Sequence, residues 1–470
     1  MHLIPQSWSH LHILVSVFPS VGLIFVLGFY ITAILAENAA MKRICLVLFV
    51  VLGLLALPTY LSGDRSMAVF AANPEAPKDL MNIHFWWGLV GLGVLVLTGI
   101  AALYELWRSR QSGKMSDQAL VPVLVLALAT LVVMSVVDDY GFEINHHELH
   151  LGLGTARGAS APQAWSFVHM VLNHFPTVGF VVSLAVYVSA LVMNNDLMKR
   201  SGLVLFVICG ALIVPTYVTG TGSMWALTQP EIPGISKAVI NAHRDIALLA
   251  LFGLAFTGGT AWIELWRSRQ LGRFSNAMLY TVLVFAIITL GILAETGHRG
   301  GQINHPEIRV ATDVLPTDPN AGWTPAIEML INNVIWFVPW QTVHFLGYTL
   351  IFGTVLAVFL RVLGFWKSVP YSAVYRILPL GFFGVMMNVF TGMLMMLADS
   401  HRYIVENTPF APKMGLIPIA VMAVLYLTLS DSLWRVKAGE EAPASAKAVA
   451  ILALLAWTGV IMGGRLLPYL

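Results

Sequence analysis

Apolar runs of about twenty residues recur along this whole chain, and each is long enough to cross the roughly 30 Å of hydrocarbon in a bilayer. They fall near 10–36, 43–62, 82–106, 119–138, 168–193, 201–219, 242–265, 277–296, 334–363, 374–398, 412–433 and 446–464. The 470 residues are 58% hydrophobic and only 11% charged, where a soluble domain carries about 25% charged residues. A transmembrane β-barrel would show short alternating segments instead. The pattern predicts an all-α polytopic membrane protein of about twelve transmembrane helices. A formal net charge of +2 gives no basic surface for nucleic acid. The two cysteines, Cys45 and Cys209, both lie inside apolar runs. They offer neither a disulfide framework nor the C-x-x-C-H of covalently attached haem. No Lys or Arg precedes Lys42, so a signal peptide with a basic start is not expected. Ser9–Leu35 reads as the first spanning helix.

The runs group in fours, and the first two groups are copies. WSHLHILVSVFPSVG aligns with WSFVHMVLNHFPTVG at an offset of 157, and LPTYLSG with VPTYVTG. At an offset of 159, NIHFWW aligns with NAHRDI, YELWRSRQ with IELWRSRQ, and INHHE with INHPE. An even number of spans per unit makes the repeat parallel rather than inverted. The expected organisation is repeat A over 1–160, repeat B over 161–310 and a C-terminal four-helix domain over 311–470. By eye the third group shares no motif with the others. The Pro-, Asp- and Thr-rich stretch from Arg309 to Gly322 reads as an extramembrane connection.

Sixteen of the 26 Lys and Arg fall in one set of loops, including Lys42, Arg108, Lys199, Arg267, Arg361 and Arg435. The positive-inside rule assigns that set to the cytoplasm and both termini to the other side. All fourteen histidines then lie in the outer half. Ionisable side chains at membrane depth are candidates for a functional site. In each repeat the first and third helices start on the outer side with a histidine: His12 with His84, and His169 with His243. Two imidazoles on neighbouring helices at one depth are what axial ligation of a b-type haem in a helix bundle needs. The competing reading makes each an interfacial, hydrogen-bonding belt residue.

His174 follows His169 by five residues, which turns it roughly 140° round a helix. It needs a different site, for which His298 at the end of the fourth helix is the available partner. Repeat A has Val17 and Asp139 at these positions, so both members are missing together. In the third group His344 and His401 are further candidates. Arg244, beside His243, is placed either for a haem propionate or as an interfacial anchor. His146, His147, Glu148 and His150 form a polar outer cluster without zinc-protease spacing. Met386, Met387, Met393, Met395 and Met396 read as a copper-like stripe or as ordinary packing. Pro19 and Pro176 are expected to kink the first helix of each repeat. Asp138, Asp139, Glu295 and Arg299 are the ionisable groups near which a quinone could bind.

His169 with His174-Phe175-Pro176, followed by Thr296-Gly297-His298-x-Gly300-Gly301, resembles an uncharacterised family of four-helix bacterial membrane domains. The resemblance covers 164–307, and reaches 7–148 through His12, Phe18-Pro19 and His84. HFLG, GFFGVMMNVFTG and ADSHRY in the third group resemble another uncharacterised four-helix membrane family. The first family's association with cytochrome c modules implies redox work. The expectation is a membrane-embedded cytochrome b subunit holding two to four haem b, with quinone as a further candidate cofactor. It would exchange electrons between the quinone pool and a periplasmic c-type cytochrome, itself a candidate multihaem protein. The expected setting is the bacterial inner membrane, within a multi-subunit complex, both termini periplasmic. The alternatives are a haem-free anchor for periplasmic redox partners and a copper- or zinc-handling membrane protein.

Overall fold

The computed structural model describes residues 5, 7–35, 37–71, 76–113, 115, 117–145, 161–228, 235–305, 308–309 and 315–467. Among these residues twelve helices are long and apolar enough to span a bilayer, and there is no strand. Repeat A comprises α1 (Trp8–Leu35), α2 (Ala39–Phe70), α3 (Lys78–Ser112) and α4 (Asp117–Asn145). Repeat B comprises α5 (Ala161–Val192), α6 (Asp196–Thr228), α7 (Lys237–Leu271) and α8 (Asn276–Asn304). A short α9 (Trp323–Ile331) precedes the last four, α10 (Val334–Leu363), α11 (Tyr371–Ala398), α12 (Phe410–Leu429) and α13 (Ala444–Leu466). Large apolar side chains such as Leu54, Val132, Ile287 and Leu455 face outward. Exposed apolar surface on this scale marks a membrane-facing protein.

The helices run beyond the expected spans. Residues 43–62 were expected for α2, which occupies Ala39–Phe70. Hydropathy reports only the part in hydrocarbon, whereas backbone hydrogen bonds continue until a cap stops them. Those caps are written in the sequence. Ser7 accepts from the His10 amide at 3.1 Å to start α1, and Asn38 from the Met41 amide at 2.9 Å to start α2. Gly113 and Gly272, at equivalent positions, end α3 and α7 with φ of 72° and 69°, the left-handed conformation glycine adopts without strain. The prolines behave unequally. Pro19 sits in a π-helical turn, Phe18–Gly22, while α5 continues as α-helix through Pro176.

The residues cluster into two compact units. One contains 1–163, 177–202 and 294–315; the other contains 164–176, 203–293 and 316–470. In the first, α1 packs on α2, α2 on α3, α3 on α4 and α4 back on α1. Helices α1 and α3 are therefore diagonal across the bundle. The expectation of His12 and His84 on neighbouring helices is thereby corrected: they stand on diagonal helices. An up-down-up-down bundle makes this unavoidable, because helices pointing the same way alternate round it.

In lipid there is no hydrophobic drive to bring helices together, so small residues and polar pairs do it. Ser9 meets Ser66 at 2.8 Å and Thr98 meets Thr130 at 2.9 Å. The second unit holds the duplicates, Ser166 with Ser223 at 3.0 Å and Thr257 with Thr289 at 3.0 Å. Gly53 faces Gly99, and Gly210 faces Gly258, so closely that a Cβ on any of them would lie 3.4 Å or less from the opposite backbone.

The second unit has its own fixed points. Trp262 donates to Thr428 Oγ1 and Trp266 to the Tyr375 carbonyl, both at 2.9 Å. Arg361, fully buried at the end of α10, donates to the carbonyls of Val369, Lys437 and Glu440 at 2.5, 3.2 and 3.2 Å. One guanidinium thus holds two loops, and α10 stops beside it at Gly364 with φ of 108°. Arg361→Ala should cost on the order of 3 kcal/mol, since it strands three carbonyls. Thermal unfolding of the purified protein in detergent would show it, with new protease cleavage near residues 437–440.

Candidate functional site

Four of the predicted histidines share one arrangement. On α1, His12 Nδ1 lies 2.9 Å from the Thr59 carbonyl and 3.4 Å from Ser62 Oγ of α2. On α5, His169 Nδ1 lies 3.0 Å from the Thr216 carbonyl and 3.4 Å from Thr219 Oγ1 of α6. On α3, His84 Nδ1 lies 3.0 Å from the Val137 carbonyl of α4. On α10, His344 Nδ1 lies 2.9 Å from Thr391 Oγ1 of α11. Each first-helix histidine finds its partner 47 residues on. The third group, in which the sequence showed no shared motif, therefore has the same device.

These bonds set the tautomer. A carbonyl oxygen only accepts, so Nδ1 of His12, His84 and His169 carries the proton. Thr391 gives its single proton to the Met387 carbonyl at 2.7 Å, so it too accepts from His344. Among the described residues the hydrogen bonds of His12, His84 and His344 all run through Nδ1. Nε2 keeps its lone pair, the state a metal-ligating imidazole requires, with the second-shell contact that usually orients one.

Glycine makes the arrangement fit. A Cβ added to Gly63 would lie 2.8 Å from His12 Cε1, on Gly141 2.9 Å from His84 Cε1, and on Gly220 2.7 Å from His169 Cε1. On Gly392 it would lie 3.1 Å from His344 Cε1. Each ring rests on bare backbone of the next helix. His12 is also within electrostatic reach of His84 and of His305. The donor chemistry suits haem b: imidazoles from two helices of one bundle, each oriented by a hydrogen bond at Nδ1. His243 is half-buried on α7, at the place His84 takes in repeat A.

The remaining candidates have other company. Arg244 is buried, ion-paired with Glu328 of α9 at 2.7 Å and bonded to Asn241 Oδ1 at 3.1 Å. Its neighbour Asp245 accepts from the Trp323 and Thr324 amides at 3.0 and 2.7 Å and from Thr324 Oγ1 at 2.6 Å. Asp245 therefore caps α9 from outside. Repeat A has Phe85 and Trp86 at these positions. His298 Nε2 lies 3.2 Å from Gln302 Nε2, and its ring is 5.4 Å from that of His10. His174 is half-buried on α5. His401 lies between spans, with Nδ1 3.1 Å from Glu406 and its ring edge-on to Trp225 at 4.8 Å.

Of the quinone-site candidates, Asp138 accepts from Ser20 at 2.7 Å, and Arg299 pairs with Glu295 at 2.8 Å. Met393 and Met396 are buried, and Met386, Met387 and Met395 are half-buried, along α11. His146, His147, Glu148 and His150 lie outside the described residues. Among the described residues, no three or more His, Cys, Asp or Glu gather as a metal site. A haem held by two imidazoles needs no such group. Comparison with family models, with curated proteins and with solved structures finds no match for this chain.

Two outcomes follow. Gly63→Ala and Gly220→Ala should each cost about 1–3 kcal/mol by overpacking against a ring, whereas Gly93→Ala, where nothing lies within 4 Å, should cost nothing; thermal unfolding in detergent compares them. Asp245→Ala removes three bonds to a charged acceptor and should release α9, read as faster hydrogen exchange confined to Trp323–Ile331.

Proposed function

We propose that this chain is a membrane-embedded multihaem cytochrome b subunit. It exchanges electrons between the quinone pool and a periplasmic c-type cytochrome. The observation that carries the reading is the recurrent imidazole with Nδ1 anchored on the next helix and its ring seated on glycine, at His12, His84, His169 and His344. His12 with His84, and His169 with His243, would hold the haems. Bound haem b supplies a one-electron couple. The anchored Nδ1–H holds each ring in orientation and raises its basicity. The apolar bundle excludes water from the site.

The outward bias of the histidines and the positive-inside rule support a bacterial inner-membrane location with both termini periplasmic. Centres near that face suit short electron hops to a soluble partner and give no route to the cytoplasm. The resemblance to cytochrome c-associated membrane domains points the same way and favours a multi-subunit complex.

Protein purified from membranes should show a dithionite-reducible b-type Soret and α-band, with two to four haem b per chain by pyridine haemochrome. His84→Ala should lower that count by one. A preparation with full-length folded chain and no haem would overturn the proposal and leave the haem-free anchor in its place.

A further inference from the structure

The third bundle has half of the constellation seen in repeat A, and the other half is occupied by an unexpected residue. His344 on α10 and Gly392 on α11 stand as His12 and Gly63 do on α1 and α2. In repeat A the second imidazole, His84, comes from near the start of the third helix and lies on Gly141 of the fourth. The corresponding helix α12 has no histidine. It has Lys413, the fourth residue of Phe410–Leu429. A Cβ on Gly463 would lie 3.0 Å from Lys413 Cβ, and one on Gly464 would lie 3.5 Å from Lys413 Nζ. The lysine stem thus runs along bare backbone near the end of α13, as the His84 ring does along α4.

Lys413 is half-buried and within electrostatic reach of His344. Among the described residues Nζ has neither a carboxylate nor a hydrogen-bond partner. An unpartnered cation inside a spanning helix is expensive, and such residues mark functional sites. The other third-group histidine is otherwise engaged, since His401 is spent on Glu406 and Trp225.

We propose that His344 Nε2 and Lys413 Nζ are the axial pair of a further haem in the third bundle, an imidazole–amine site beside the bis-imidazole sites of the repeats. This rests on the reading that the chain holds haem b. Ligation uses the Nζ lone pair, so one N–Fe bond forms and the ammonium proton leaves to outer water. Proton release of this kind accompanies metal binding by any protonated ligand.

The test uses the full chain purified from membranes as wild type, Lys413→Met, Lys413→His and His344→Ala. Haem per chain is counted by pyridine haemochrome, and axial ligands are read by electron paramagnetic resonance and near-infrared magnetic circular dichroism. Wild type should contain one low-spin ferric species with an amine–imidazole signature, distinct from the bis-imidazole species. Lys413→Met should abolish that species alone, either as a high-spin signal or as the loss of one haem. Lys413→His should convert it to bis-imidazole, which guards against misfolding of the methionine variant. His344→Ala should remove the same species. If wild type holds haem but these variants leave count and signatures unchanged, Lys413 merely reaches for the interface and only this proposal falls. Wild type without haem would overturn both.

Discussion

A polar side chain surrounded by hydrocarbon can direct its hydrogen bonds only to other parts of the protein. That constraint governs this structure more than any apolar contact does. The serine and threonine pairs that join successive helices obey it. So do Arg361, which is satisfied by loop carbonyls, and the histidines, whose Nδ1 protons go to the next helix. For the histidines the same bond that satisfies the membrane also fixes a tautomer. A requirement of solvation thereby sets the state of each ring, and the glycine beneath it gives the ring room to reach its acceptor.

The duplication makes this visible, because what both copies keep can be separated from what one has changed. Both copies keep the serine bolt, the threonine bolt, the close glycine crossing, the imidazole on its carbonyl, and the buried Glu105 and Glu264 that clasp Arg108 and Arg267 at 2.6 and 2.7 Å. The change at His243 is local. Where repeat A has Phe85-Trp86, repeat B has Arg244-Asp245, and those two charges hold α9 through Glu328 and the Thr324 amide. An aromatic pair in one copy, with Phe85 packed on Tyr60, is thus a docking point for an extra helix in the other.

Much of this was legible in the sequence. Span number and the repeat follow from letters at fixed spacing. What was hidden involved groups without letters. The acceptors at Thr59, Thr216 and Val137 are backbone carbonyls, which any residue supplies. The diagonal placement of α1 and α3 follows from bundle topology and could have been argued beforehand. The kinship of the third group rests on a hydroxyl–glycine pair in the second helix, Ser62-Gly63, Thr219-Gly220 and Thr391-Gly392. Two letters are too few to stand out in an apolar run. Lys413 counted only as one more outer charge, and the contact between His10 and His298 joins residues that no pattern linked.

The π-helical turn at Phe18–Gly22 has a consequence for how two copies of one sequence can differ. A turn of this kind takes up one residue more than an α-turn, and its counterpart α5 runs as α-helix through the same stretch. Past the turn the aligned letters still keep one face inward: Leu23, Val26, Tyr30 and Ala33 of α1 and their counterparts Phe180, Ser183, Tyr187 and Ala190 of α5 are all buried. The duplicated first helix thus differs in how its backbone is wound and not in which side chains it packs.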